Sequence, residues 1–159
     1  MGYSHKWEST GAIPTEVLQT AFDKIKSFVK WANKDLPNIL ANELGEKNTS
    51  PTIGNEYVGF NGIEENRNES MEFLNDWNGK KSWCKTSEKP YDDIVVASLC
   101  LYKHYLKKHL VFKSDGDRYK LRAGYELYVL YCHRKNIPVE ALNIILEDIK
   151  DGYAITDVN

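Results

Sequence analysis

The sequence predicts one α+β domain spanning residues 1–159, a small antiparallel sheet packed against about four helices. Three observations carry that reading. Period-two alternation opens the chain, short apolar pieces broken by Gly, Asn and Ser fill residues 46–89, and the second half shows helical periodicity. With 159 residues, 42% of them hydrophobic and 28% charged, the chain has room for one ordinary core. Its composition excludes a wholly disordered, collagen-like or coiled-coil protein.

Tyr3, His5 and Trp7 share one face of an opening strand. Pro14 suits a first helical turn, and Leu18, Ala21, Phe22, Ile25, Phe28, Val29 and Ala32 then repeat at three-and-four spacing, which predicts an amphipathic helix. Residues 38–44 are expected to continue it beyond Pro37 until Gly45 stops it. Residues 52–60, 70–74 and 82–85 read as three strands, with Asn61-Gly62 and Asn78-Gly79 as turn dipeptides and residues 64–69 as an exposed connection. A helix over 91–110 begins at Asp92 and Asp93 and ends among Lys103, His104, Lys107, Lys108 and His109, so its charges match the macrodipole at both ends. Its middle, residues 94–101, is apolar almost all round, the mark of a helix at the centre of a domain. Residues 111–113 form a short strand and 114–117 a tight turn. A third helix covers 119–135, and a fourth covers 139–150 with the stripe Val139, Leu142, Ile145, Leu146 and Ile149.

A formal net charge of −2 removes the footprint of a general nucleic-acid binder and leaves room only for local basic patches. Cys84, Cys100 and Cys132 have the wrong parity for a disulfide framework, and no Cys-x-x-Cys pair occurs, so reduced thiols are expected. No apolar run reads as a signal peptide or membrane span, and a cytoplasmic location is expected, with no membrane partner.

Several motifs fail on their chemistry. The glycines at 54 and 59 have phosphate-loop spacing, but Phe60 and Asn61 stand where lysine and a hydroxyl residue are required. Asp115-Gly116-Asp117 with Glu126 has the outline of a calcium loop, yet Tyr119 and Lys120 occupy positions that need an oxygen ligand and a glycine. Cys100, His104, Cys132 and His133 can be drawn as a zinc site, but adjacent residues 132 and 133 point different ways on a helix, and buried thiols account for the cysteines. No metal site is assigned. A Cys84–His5 nucleophilic pair requires their strands to be neighbours; the other reading is a partly buried thiol beside Trp83.

The stretch from Trp83 to Asp92 is the most informative. Lys85, Thr86 and Lys89 precede a helix N-terminus, whose unpaired N–H groups suit an anion such as phosphate. The ordinary reading of the same residues is a helix start, in which Asp92 and Asp93 complement the positive end, Pro90 opens it and the lysines are solvated. Ten tyrosines, with Tyr119, Tyr125, Tyr128 and Tyr131 on one helix, read as stacking groups, as a protein-binding surface or as core with polar tips.

Met1-Gly2-Tyr3-Ser4-His5-Lys6-Trp7, Phe60-Asn61-Gly62, Cys84-Lys85-Thr86, Lys89-Pro90-Tyr91-Asp92 and Ser114-Asp115-Gly116 together resemble a family of small uncharacterised proteins of tailed phages and prophages. The resemblance runs from Met1 to about Tyr125 and brings no assigned activity and no named cofactor. It gives weight to the matched polar residues His5, Asn61, Lys85, Thr86, Lys89, Tyr91, Asp92, Ser114 and Asp115, several of which stand at element ends where they can share a cleft. In such a cleft Lys85 and Lys89 hold an anion and His5 or Asp115 acts as acid/base. Asn61 and Thr86 orient the ligand, with Tyr91, Asp92 and Ser114 beside them. The function implied is a phage accessory protein, in the host cytoplasm, that binds or processes a small phosphate-bearing ligand such as a nucleotide. One alternative is a non-enzymatic inhibitor of a host protein, using the tyrosine-rich helix and residues 46–81. The other is a nucleic-acid binder or nuclease whose Asp92, Asp115 and Asp117 hold magnesium.

Overall fold

The computed structural model describes residues 3–116, 118–141 and 145. Its elements run β1 (Ser4–Ser9), α1 (Thr15–Asp35), β2 (Thr52–Ile53), β3 (Tyr57–Phe60), β4 (Met71–Leu74), β5 (Ser82–Lys85), α2 (Asp92–Leu106), β6 (Leu110–Ser114) and α3 (Arg118–Arg134). Two single 3-10 turns, Glu64–Asn66 and Lys107–His109, complete the list. The α+β class is as expected, while the number of sheets and helices is not.

The opening alternation does what its period requires: Tyr3, His5 and Trp7 are buried and Lys6 is exposed. β1 is the middle strand of an antiparallel sheet ordered β5-β1-β6. Opposite His5 stand Cys84 and Ser114, and opposite Lys6 stand Trp83 and Lys113. Successive side chains leave a strand on opposite faces, so the first row looks into the core and the second away from it.

A second antiparallel sheet, ordered β2-β3-β4, replaces the rest of the single sheet expected. Residues 52–60 are not one strand, because Gly54 and Asn55 favour a turn. The Gly54 N–H donates to the Tyr57 carbonyl at 2.8 Å, and the segment folds back into β2 and β3. Residues 38–44 likewise do not continue α1. Pro37 pushes Leu36 out of helical geometry, to φ −120° and ψ 72°, and Asn38 turns left-handed at φ 65°. Ala41 then exchanges two backbone hydrogen bonds with Asn61, at 2.9 and 3.2 Å.

The described residues contain three α-helices rather than about four. Most of the expected fourth, 139–150, lies outside the described residues. All seven stripe residues of α1 are buried, each worth roughly 1.5–3 kcal/mol where the side chain is large. α2 is buried on every side over residues 94–101, packed between α1 and α3. Phe28 of α1 meets Tyr131 of α3 edge to face at 5.0 Å. Gly124 lets α3 close on α2: a Cβ there would lie 2.4 Å from the Val96 side chain. No described helix is long and apolar enough to cross a membrane.

Candidate functional site

The polar residues singled out in the sequence fall into three places. The first is a buried knot at the start of α2. Asp92 accepts hydrogen bonds on one oxygen, Oδ1, from Thr86 Oγ1 at 2.6 Å and from His5 Nε2 at 2.7 Å. His5 and Thr86 are fully buried and Asp92 and Ser114 nearly so. Since a carboxylate only accepts, the imidazole proton on this side sits on Nε2. His5 Nδ1 is buried with no partner among the described residues. The arrangement has the logic of an Asp–His base, but a base must touch the proton it removes, and full burial denies His5 that access. Cys84 is its direct neighbour on β5, so the strand pairing that a Cys–His nucleophile needs does exist. Burial pushes the Cys84 thiol far above its ordinary value, and the thiol lies 3.4 Å from the Glu69 carbonyl. The buried-thiol reading therefore holds for Cys84.

Around this knot the chain is tied by its backbone. Thr86 and Ser87 N–H groups both donate to the Tyr3 carbonyl, Lys89 N–H to Thr86, and Asp92 N–H to Lys89. Ser87 and Glu88 both adopt left-handed conformations, at φ 52° and 59°, a strain that only a well-held turn sustains. Asp115 closes the other end: its carboxylate accepts from Ser4 N–H at 2.6 Å and its own N–H donates to the Ser4 carbonyl. Ser114 Oγ accepts from Gly116 N–H at 3.0 Å.

The expected anion site does not assemble from both lysines. A cavity of about 190 Å³ beside the knot is lined by Lys89, but also by Glu88, Asp92 and Asp93, and Lys85 is not part of it. With Lys85 elsewhere, this cavity lacks the pair of cations that the expected site requires. Lys85 instead projects from the outer face of β5, exposed, in register with Ser4. For the magnesium reading, Asp92 is turned inward to His5 and Thr86, and Asp117 lies outside the described residues. No cluster of three His, Cys, Asp or Glu suited to a metal occurs among the described residues.

Asn61 and Tyr91 form a second place, and their work is structural. The Asn61 amide donates to the Glu43 and Asn68 carbonyls and accepts from the N–H groups of Gly62 and Asn68, so both ends of the side chain are used. Tyr91 donates to the Glu69 carbonyl at 2.6 Å, and burial raises its phenol. The tyrosines of α3 are mostly internal as well. Tyr128 and Tyr131 are buried, and Tyr125 donates to the Glu140 carbonyl at 2.8 Å. The side chain of Tyr119 lies outside what the structure describes.

The third place went unread in the sequence. β4 and β5 are edge strands of different sheets. They meet where Glu69 N–H donates to the Lys85 carbonyl at 3.1 Å and Lys85 N–H to the Glu69 carboxylate at 2.7 Å. Away from that junction lies a cleft of about 630 Å³ walled by Trp7, Phe73, Trp77, Trp83 and Tyr102, with Glu69, Glu72 and Lys81 as its charged groups. Tyr102 anchors the wall, edge to face with Phe73 at 5.0 Å and 5.8 Å from the Trp77 ring. Trp77 Nε1 donates to Ser82 Oγ at 3.3 Å, which holds the indole across the loop. Three of the chain's four tryptophans stand on this one cleft. The available signal was Trp77 and Trp83 on either side of the Asn78-Gly79 dipeptide, although the turn itself stands earlier, at residues 75–76. No family model, no curated protein and no solved structure matches the chain.

Proposed function

We propose that the protein binds a small phosphate-bearing heterocycle, of the nucleotide class, in the aromatic cleft between β4 and β5. The observation that carries this reading is a cleft backed by the buried Trp7, Phe73 and Tyr102, with the half-buried Trp77 open to it, the exposed Trp83 at its rim and only three charged groups around it. A flat base gains stacking energy against such rings. The carboxylates of Glu69 and Glu72 accept N–H groups at its edge, and Lys81 meets the phosphate. The resemblance to tailed-phage proteins supplies the setting: an accessory protein that acts on the host or its defences through this ligand. The His5–Asp92–Thr86 knot holds β1 and β5 to the start of α2 and so keeps the cleft wall in place.

Titration of purified protein with purine and pyrimidine nucleotides, read by tryptophan fluorescence, tests the reading. Trp77→Ala is expected to weaken binding between about fivefold and a hundredfold, the range of one stacked base. Lys81→Ala weakens it further, and Lys89→Ala leaves it unchanged. Loss on Lys89→Ala with no effect of Lys81→Ala returns the site to the start of α2. If no nucleotide alters fluorescence or melting temperature, the reading is wrong.

A further inference from the structure

The outer face of the β5-β1-β6 sheet carries a pattern that the cleft alone does not use. In one cross-strand row Trp83, Lys6 and Lys113 stand side by side, and in the next Lys85 pairs with Ser4. Trp83 is 61% exposed, and Lys6 and Lys85 are exposed too. Lys113 is half-buried. None of the three lysines makes an ion pair among the described residues. Three acids border the face: Glu8, opposite Val111 at the far end of β1, Asp115, bound to Ser4 N–H beyond β6, and Glu69, whose carboxylate accepts the Lys85 N–H at the β5 edge. The middle of the face is therefore cationic although the chain as a whole is not.

Trp83 also belongs to the rim of the cleft, so a strand with one base in the cleft passes this indole and reaches the lysines. Resting on the reading above, we infer that the ligand is one nucleotide of a single-stranded nucleic acid whose neighbouring base stacks on Trp83 and whose next phosphates lie on Lys6 and Lys113. An open sheet face with an exposed ring and flanking cations is the arrangement that takes unpaired bases, since every base offers a π-face and every linkage a charge. Adjacent strands stand about 5 Å apart, so the row spans a short stretch of backbone rather than a long track. A duplex, whose bases are already stacked, gains nothing from Trp83.

The test compares a mononucleotide with labelled 12-residue oligo-dT and oligo-U by fluorescence anisotropy, at low and moderate salt. The oligonucleotides are expected to bind at least tenfold tighter than the mononucleotide, with a salt slope that falls by about 1.4 on Lys6→Glu/Lys113→Glu, two phosphate contacts at roughly 0.7 each. That double variant loses the oligonucleotide advantage and keeps mononucleotide binding; Trp83→Ala weakens the oligonucleotides at least fivefold. Lys6→Gln/Lys113→Gln carries the same expectation should the charge reversal not fold. If mononucleotide binds but the oligonucleotides bind no tighter, the inference falls and the cleft reading stands. Displacement of the oligonucleotide by polyglutamate as readily as by unlabelled oligonucleotide also overturns it, because charge alone would then account for binding. If neither form binds, the cleft reading itself has failed.

Discussion

At Asp92 one carboxylate oxygen serves two donors, His5 of β1 and Thr86 just past the end of β5, and its removal strands both of them in the interior. Asp92→Ala is expected to cost about 2–5 kcal/mol, since two buried donors lose their acceptor at about 1–3 kcal/mol each; urea denaturation measures it. A loss under about 1 kcal/mol would mean that the knot does not hold the sheet to α2. His104 gives a pH prediction. Tyr128 Oη accepts the Glu140 N–H at 2.9 Å and lies 2.7 Å from His104 Nδ1, to which neutral imidazole lets it give its one proton. Desolvation, the largest cause, lowers the His104 pKa below its ordinary 6.5, with Lys107 and Lys24 adding to it against Glu140. The unfolded chain then takes up a proton before the folded one does, so this contribution is present above pH 6.5 and is lost as pH falls below it. Melting temperature recorded from about pH 8 to pH 5 is expected to fall less in His104→Gln than in the parent. Parallel curves would remove His104 from the account. At this scale the sequence was legible as chemistry but not as role: Asn61 and Thr86 are polar and buried as structural bolts, and a side chain's type does not say whether its partner is a ligand or the chain itself.

Helices were the most legible elements, because a period of 3.6 marks the buried face without reference to any partner. α1 shows this in full, each of its stripe residues being buried. Strands were harder. Residues 52–60 are apolar enough for one strand, and only the turn at Gly54 and Asn55 divides them. The passage after Pro37 went the same way, since the propensity of residues 38–44 is outweighed by the bridge to Asn61. The α2–α3 contact supports an element-scale prediction. Gly124→Ala inserts a methyl where Val96 stands 2.4 Å away, and overpacking of that kind costs about 1–3 kcal/mol. The gain in helix propensity offsets up to about 1 kcal/mol of it. Chemical denaturation is expected to show net destabilisation, and a more stable variant would mean that the two helices do not cross closely at Gly124.

For the molecule as a whole, the amino-acid sequence by itself determined the α+β class, the positions of α1 and α2, the central burial of α2 and the inward row Tyr3, His5 and Trp7. Those are consequences of local periodicity, which depends only on the direction in which neighbouring side chains leave the backbone. Only the tertiary structure decided that β1 is the middle strand, that His5 meets Asp92 across 87 positions, and that Lys85 and Lys89 part company. The cleft belongs with these, since its walls come from β1, β4, β5, α2 and the loop at Trp77. Such pairings are settled by the closure of long loops and the packing of a shared core, a competition among all partners at once that no stretch of residues records locally.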